Sequence, residues 1–304
     1  LKLRHNGTDS FITNTTGGLT IDNQSNDEDI VFKGKDNNST ITALTLDMSE
    51  AGAAAFNSAV TATTFNSIPF YTESAHNSMY THDVSATDNE AFANTGYGFD
   101  TLKSITTGDN NVAIGNDAGQ LINTGSSNTI VGSAAGDALT TGSKNVAIGY
   151  AALSAEDGHG KNVAIGYRSL TSQDAGANAY NVAIGFDSGR LISTGINNVV
   201  IGGFAGDALT SGNNNTALGY STLGAETLGD RNVAIGNFAL QVQNNTSNAD
   251  VYNTAVGYAA GGSITTATNC TIVGGLAGDA LTEGDNNIAI GKSALSSATI
   301  GNSN

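Results

Sequence analysis

Cysteine occurs once, proline once and tryptophan not at all in these 304 residues. The single thiol, Cys270, gives neither a disulfide framework nor a cysteine-based zinc site. Lys and Arg total 11 against 27 Asp and Glu, a formal charge of −16. That balance argues against nucleic acid and anionic membranes as partners, since both recruit clustered cations. No apolar run is long enough to cross a bilayer as a helix, so no membrane insertion is expected. The four histidines, His5, His76, His82 and His159, show no spacing typical of a metal site or a catalytic triad. No Gly-rich segment lies between a strand and a helix, which removes nucleotide-binding loops. The chain opens at Leu1 without Met or a signal-like stretch, so an upstream portion is expected.

What the chain has in abundance is repetition. The pentapeptide Asn111-Val112-Ala113-Ile114-Gly115 recurs with its first residue at 94, 111, 128, 145, 162, 181, 198, 215, 232, 253, 270 and 287. The step is 17 residues, except for 19 after position 162 and 21 after position 232. Gly closes all twelve copies; Asn opens eleven, with Cys270 taking its place once as a neutral substitution in a turn. A fixed period this short predicts an all-β solenoid over 94–304, one coil per copy.

Each column implies a role. The second position is always β-branched and the fourth is aliphatic in all but Tyr97, so these two share a strand face expected to point into the roll. Position three, mostly Ala, then faces outward and calls for cover by other chains. The Gly column predicts a backbone at φ > 0, and the Asn column predicts a turn residue whose amides stack as a ladder. Three residues beyond each Gly stands a small residue. The column after that runs in pairs, two coils with Gly then two with Leu, which gives units of about four coils starting at Asn111, Asn181 and Asn253.

Residues 1–66 read as short strands with tight turns: 1–5, 10–14, 19–22, 29–33 and 40–46. So thin a set of strands is a poor core alone and favours pairing with further copies of the chain. Residues 67–93, with Pro69, His76 and His82, keep no repeat register and read as a connector. Residues 88–93 are expected to make one helical turn into the first coil. His76 and His82 with Asp83 form a mild cluster, assigned a structural role.

The phrases at 145–153 (Asn-Val-Ala-Ile-Gly-Tyr-Ala-Ala-Leu) and 253–261 (Asn-Thr-Ala-Val-Gly-Tyr-Ala-Ala-Gly) resemble the head repeats of trimeric autotransporter adhesins. They resemble still more the same repeats in phage tail fibres, as do residues 1–12 and 44–52. The resemblance implies a left-handed β-roll, here with the wider coils that the 17-residue period gives, a parallel homotrimer, and a structural, receptor-binding role in a virion. It implies as partners a host cell-surface glycan or outer-membrane receptor, and other tail or virion proteins through a missing N-terminal part. It implies no enzyme activity, cofactor or metal. A bacterial adhesin head and a tailspike-like depolymerase are the alternatives. The depolymerase wants paired carboxylates, and Asp137, Asp207 and Asp279 recur too far apart to be a pair within one chain.

Two insertions lengthen their coils, at 171–180 and 241–252, and each ends in a Tyr before the next Asn. Loops on a rigid scaffold often carry binding. The candidate ligand contacts are therefore Thr171, Gln173, Asn178, Tyr180, Gln241, Gln243, Asn244, Asn245 and Tyr252. Glu156-Asp157 and Glu226, in matching turns, are expected to be solvated acidic residues.

Overall fold

The computed structural model describes all residues except 1, 6–9, 19, 22–28, 48–52, 57–63, 66–67, 70, 74–77, 82–89, 248 and 304. Two compact units divide the chain, Leu1–Ala62 and Thr63–Asn304. In the first, β1 (Lys2–His5) pairs antiparallel with β2 (Ser10–Thr13). A separate antiparallel sheet orders β3 (Ile30–Asp36), β4 (Ser39–Asp47) and β5 (Ala53–Phe56). The β3–β4 turn places Asn37 and Asn38 at φ 46° and 65°, the left-handed pair that a tight right-twisted hairpin requires. The strand expected at 19–22 is not formed at Thr20 and Ile21; Leu19 and Asp22 lie outside the described residues.

In the second unit β6 (Thr64–Phe65) pairs with β7 (Ile68–Pro69). β8 (Tyr71–Glu73) runs antiparallel to β9 (Ser78–Tyr80), and β9 pairs parallel with the first coil strand, Thr95–Tyr97. The stretch expected to be a plain connector thus begins the solenoid's own 14-stranded sheet. Buried Tyr80 packs on the first coil: its Cδ1 lies 3.0 Å from where a Cβ on Gly96 would sit. No helical turn forms from Glu90 to Ala93, and no helix occurs among the described residues. His76, His82, Asp83 and Asp88 lie outside them.

Twelve coil strands of three residues follow, from Thr95–Tyr97 to Ile288–Ile290, each parallel to the next and in register. Val146 faces Val163, Ala147 faces Ala164 and Ile148 faces Ile165. In-register stacking holds because every coil presents the same backbone donors and acceptors to its neighbour: Val146 N–H donates to Asn162 O, and Gly149 N–H to Val131 O. The Gly that closes each copy sits at φ between 118° and 141°. A Cβ on Gly166 would lie 2.2 Å from the Gly185 carbonyl oxygen, so close coil-to-coil approach there demands glycine.

The asparagine ladder forms. Asn111 Oδ1 accepts from Asn128 N–H at 3.0 Å, while Asn111 Nδ2 donates to Gly125 O at 2.8 Å. The left-handed residue of that turn is the one before the Asn, as at Asn110, Lys144 and Arg231, not the Asn itself. Cys270 keeps half of the role: its thiol donates to Gly284 O at 3.3 Å, but it offers no amide oxygen to the next coil.

The strand faces are the reverse of the expectation. Position three is buried throughout the coils (Ala113, Ile130, Ala147, Val200 and Ala234 are all 0% exposed), and so is the small column after the Gly except at the last coil's half-buried Ala294. Positions two and four are half-buried or exposed, with Val112 at 36% and Ile114 at 41%. Volume explains this. The roll is too narrow to hold two β-branched side chains per strand, and alanine inside leaves room for the opposite wall.

The paired Gly and Leu columns are the other half of the same packing. A four-coil unit fills its interior as Ala113 with Gly119 and Ile122, then Ile130 with Gly136 and Leu139, then Ala147 with Leu153 and Glu156, then Ala164 with Leu170 and Gln173. Where the column carries Gly, the Ile or Leu three residues on fills its place: a Cβ on Gly119 would meet Ile122 Cδ1 at 2.8 Å. Where it carries Leu in the units starting at Asn111 and Asn181, that third residue is polar and buried; after Leu102 it is the buried Ile105 and after Leu295 the half-buried Ala298. The next unit repeats the scheme with Glu226 and Gln243.

Candidate functional site

Three features of the array have chemistry to offer. The first is its outer face. β-branched residues at position two, Thr in five coils and Val or Ile in the others, and mostly Ile and Val at position four run in rows along it, and the residues just past the Gly add a file of rings. Tyr150, Tyr167, Phe186, Phe204, Tyr220, Phe238 and Tyr258 stack with centroids 5.0–5.9 Å apart, one ring from each of seven consecutive coils. The first three rings lie nearly parallel and the rest meet edge to face, both favoured aromatic geometries. Five of the seven are at least 42% exposed. Sequence reasoning missed this file because the ring comes from the residue after Gly in most coils but one residue later at Phe204 and Phe238. Reading the two columns together reveals it.

The second feature is the pair of inserted loops, whose nine candidate residues divide into two groups. Gln173, Gln243 and Asn245 are buried. Gln173 accepts from Asn181 Nδ2 at 2.6 Å and donates to Ser193 O at 3.1 Å. Gln243 accepts from Asn253 Nδ2 and donates to Glu226 Oε2, each at 2.8 Å. These three hold the coil together and face no ligand. Thr171 is half-buried and donates to Arg168 O at 2.7 Å. Asn178, Tyr180, Asn244 and Tyr252 are exposed. Lys161 Nζ bonds the Tyr180 hydroxyl at 2.8 Å and lies 4.8 Å from its ring centre, while Arg231 stands over Tyr252 and pairs with Asp250. Half-buried Gln241 joins Val242, Phe204, Tyr220, Asp207 and their neighbours around an open depression of about 490 Å³.

The third feature corrects the expectation of solvated acidic turns: Glu156 and Glu226 are both 0% exposed. Glu226 is fully satisfied. Its Oε1 accepts from the backbone N–H groups of Thr227, Leu228, Gly229 and Asn245 at 2.8–3.1 Å, and its Oε2 from Gln243 Nε2 and Asn245 Nδ2 at 2.8 and 3.1 Å. Glu156 holds the same coil position with different neighbours. Its Oε1 accepts from His159 N–H at 2.9 Å and its Oε2 has no partner. Burial pushes the Glu156 carboxyl above its ordinary value; the His159 N–H and imidazole oppose the rise, and Asp174 and Asp157 add to it.

No family model, curated protein or solved structure matches the chain. Its class is therefore defined by its own geometry, a parallel β-solenoid repeat protein with an apolar, ring-bearing outer face.

Proposed function

We propose that this chain is part of a phage tail fibre, a structural and receptor-binding element that assembles as a parallel homotrimer of left-handed rolls and performs no catalysis. The observation that carries the proposal is the outer face. Rows of Val and Ile, interrupted by Thr at position two in five coils, make with a seven-ring aromatic file a long, largely apolar strip, and a large exposed apolar patch of this kind marks an interaction surface. A linear repeat offers it continuously along its length, which suits side-by-side association of identical chains sharing one axis. The sequence resemblance supplies the trimer and the virion setting. Attachment to other tail proteins through an upstream portion belongs to the same proposal.

The host-facing ligand is a cell-surface glycan or outer-membrane receptor, met at the loops 171–180 and 241–252. The exposed side chains that would meet it are Asn178, Tyr180, Asn244 and Tyr252. The depression beside Gln241 combines two aromatic faces with a carboxylate, a set that suits a sugar ring. Threefold repetition would turn weak contacts into avidity. Light scattering at micromolar concentration tests assembly: a mass near three times 30.6 kDa is expected, and a monomer defeats the trimer. Shortening each loop to the 17-residue coil tests attachment, with host adsorption expected to fall while thermal stability holds. Unchanged adsorption by the folded variants removes the loops from recognition.

A further inference from the structure

Glu156, Asp157, His159 and Asp174 each bring one ligand atom to a common point, all within 4.8 Å of one another. Ligands on opposite sides of a cation bound at about 2.1–2.4 Å stand roughly 4.2–4.8 Å apart, so the spacing fits a shared ion. Proximity of acidic groups alone would prove little. Two further observations point to a ligand here. The Glu156 side chain is 0% exposed yet Oε2 has no hydrogen-bond partner; the buried His159 Nδ1 makes no hydrogen bond either and stands 3.5 Å from Glu156 Oε1, an ion pair only when the imidazole is protonated. A buried carboxylate oxygen left bare is costly, and buried polar atoms without partners are rare in folded proteins.

The chain contains its own control. The coil 70 residues further on repeats this turn with Glu226, Thr227, Gly229 and Asn244 in place of Glu156, Asp157, His159 and Asp174. There the glutamate is satisfied by protein donors, and Thr227 Oγ1 donates to Asn244 Oδ1 at 2.9 Å. A Cβ on Gly229 would come within 2.9 Å of the Glu226 carboxylate, which shows where a side chain at this position goes. His159 occupies that position, against Glu156. The step of 17 residues also stacks Asp174 on Asp157, two carboxylates where the other unit has a hydrogen-bonded pair. The three positions that differ thus bring an imidazole and two carboxylates to Glu156, the glutamate whose Oε2 has no donor.

We propose that Glu156, Asp157, His159 and Asp174 bind a divalent metal ion that fastens the inserted loop 171–180 to the turn of the preceding coil. One imidazole with carboxylate oxygens favours the Zn²⁺ and Mn²⁺ class over Mg²⁺ and Ca²⁺, whose sites are built from oxygen alone. The site lies within one chain and does not depend on the fibre assignment.

The test uses the full chain, stripped with chelator and titrated with ZnCl2 or MnCl2 by calorimetry and by thermal melting followed by circular dichroism. One ion per chain is expected, with Tm rising roughly 5 °C at about 100-fold excess over Kd. Asp157→Thr, His159→Gly and Asp174→Asn each install the residue that the second unit already uses. They are expected to keep the metal-free Tm and weaken binding at least tenfold. Glu156→Gln, which supplies a donor of its own, should also abolish the Tm rise. No binding of either metal by the parent chain overturns the proposal, as does binding that these four variants leave unchanged. A raised His159 pKa by NMR together with no metal effect would assign the cluster instead to a His159–Glu156 ion pair.

Discussion

The two faces of a coil strand differ by one residue step and by everything that follows from it. Ala147 is sealed inside the roll, while Val146 and Ile148 on either side of it look outward. Both faces are apolar, so hydropathy does not separate them. What separates them is size: in most coils the interior takes Ala and the exterior the branched residues, and Ile130, Val200 and Ile272 fit inside only where Gly136, Gly206 and Gly278 make room. The inner face is therefore closed by its own chain, and the outer face is complete only against something else. This also changes which residue tests assembly. Position three, which the alternation pattern assigns to the chain-to-chain contact, belongs to the core of the single coil.

The sharpest way to break the comparison is to place a charge on each face in turn. Ala147→Glu puts an unpaired carboxylate into a packed interior and is expected to unfold the array around it, a loss of several kcal/mol seen as a broadened melt at much lower Tm. Ile148→Glu, one residue away, is expected to leave the β-sheet circular dichroism of the coils intact and to reduce the mass by light scattering. Equal effects at both positions would mean that the outer face is also part of a single chain's core.

Next in size is the contrast between the two buried glutamates. Glu226→Ala strips the acceptor from six N–H donors inside the roll, and at about 1 kcal/mol or more for each buried group left unpaired it is expected to cost on the order of 3 kcal/mol or more. Glu156→Ala in metal-free protein frees one backbone donor, that of His159, and is expected to cost less than half as much. Paired urea melts of the two variants measure the difference. A larger loss at Glu156 would show that its carboxylate is well satisfied without metal.

Much of this architecture could be read in the residues. The period, the positive-φ glycine of each copy and the asparagine ladder all follow from columns that admit one residue type for one physical reason. The facing of the strand did not, because alternation gives a direction only when one face is polar. The deciding signal was nevertheless present: Ile130 and Val200, the larger residues of the inward column, fall in coils where Gly136 and Gly206 make room for them. In the loops, Asn178, Tyr180, Asn244 and Tyr252 lie exposed as loop chemistry implies, but Gln173 and Gln243 continue the coil at a step of 17 from Glu156 and Glu226, and are core. The four-residue cluster is not a short metal motif, because only three of its residues share one turn and the coil step is needed to bring Asp174 onto Asp157.

The smallest expected effect concerns half-buried carboxylates in the turns outside the strands. Asp137 and Asp207 occupy the same place in successive units, half-buried, and burial raises both above the ordinary carboxylate pKa. Their own backbone N–H groups pull the values back down; for Asp207 the Arg190 charge does so as well. Asp137 Oδ1 lacks a hydrogen-bond partner. A carboxyl whose folded pKa lies above its unfolded value near 3.9 binds its proton more readily when folded. Its contribution to stability is therefore fully present below the unfolded pKa and is lost as pH rises through the folded one. At neutral pH the charged Asp137 opposes folding, and an uncharged isostere does not. Asp137→Asn is expected to raise Tm by roughly 1–2 °C at pH 7, with the gain shrinking towards zero as the pH falls below about 4. Melts of variant and parent across that range measure it. A gain that does not change with pH would place its cause in packing or hydrogen bonding, not in the buried charge.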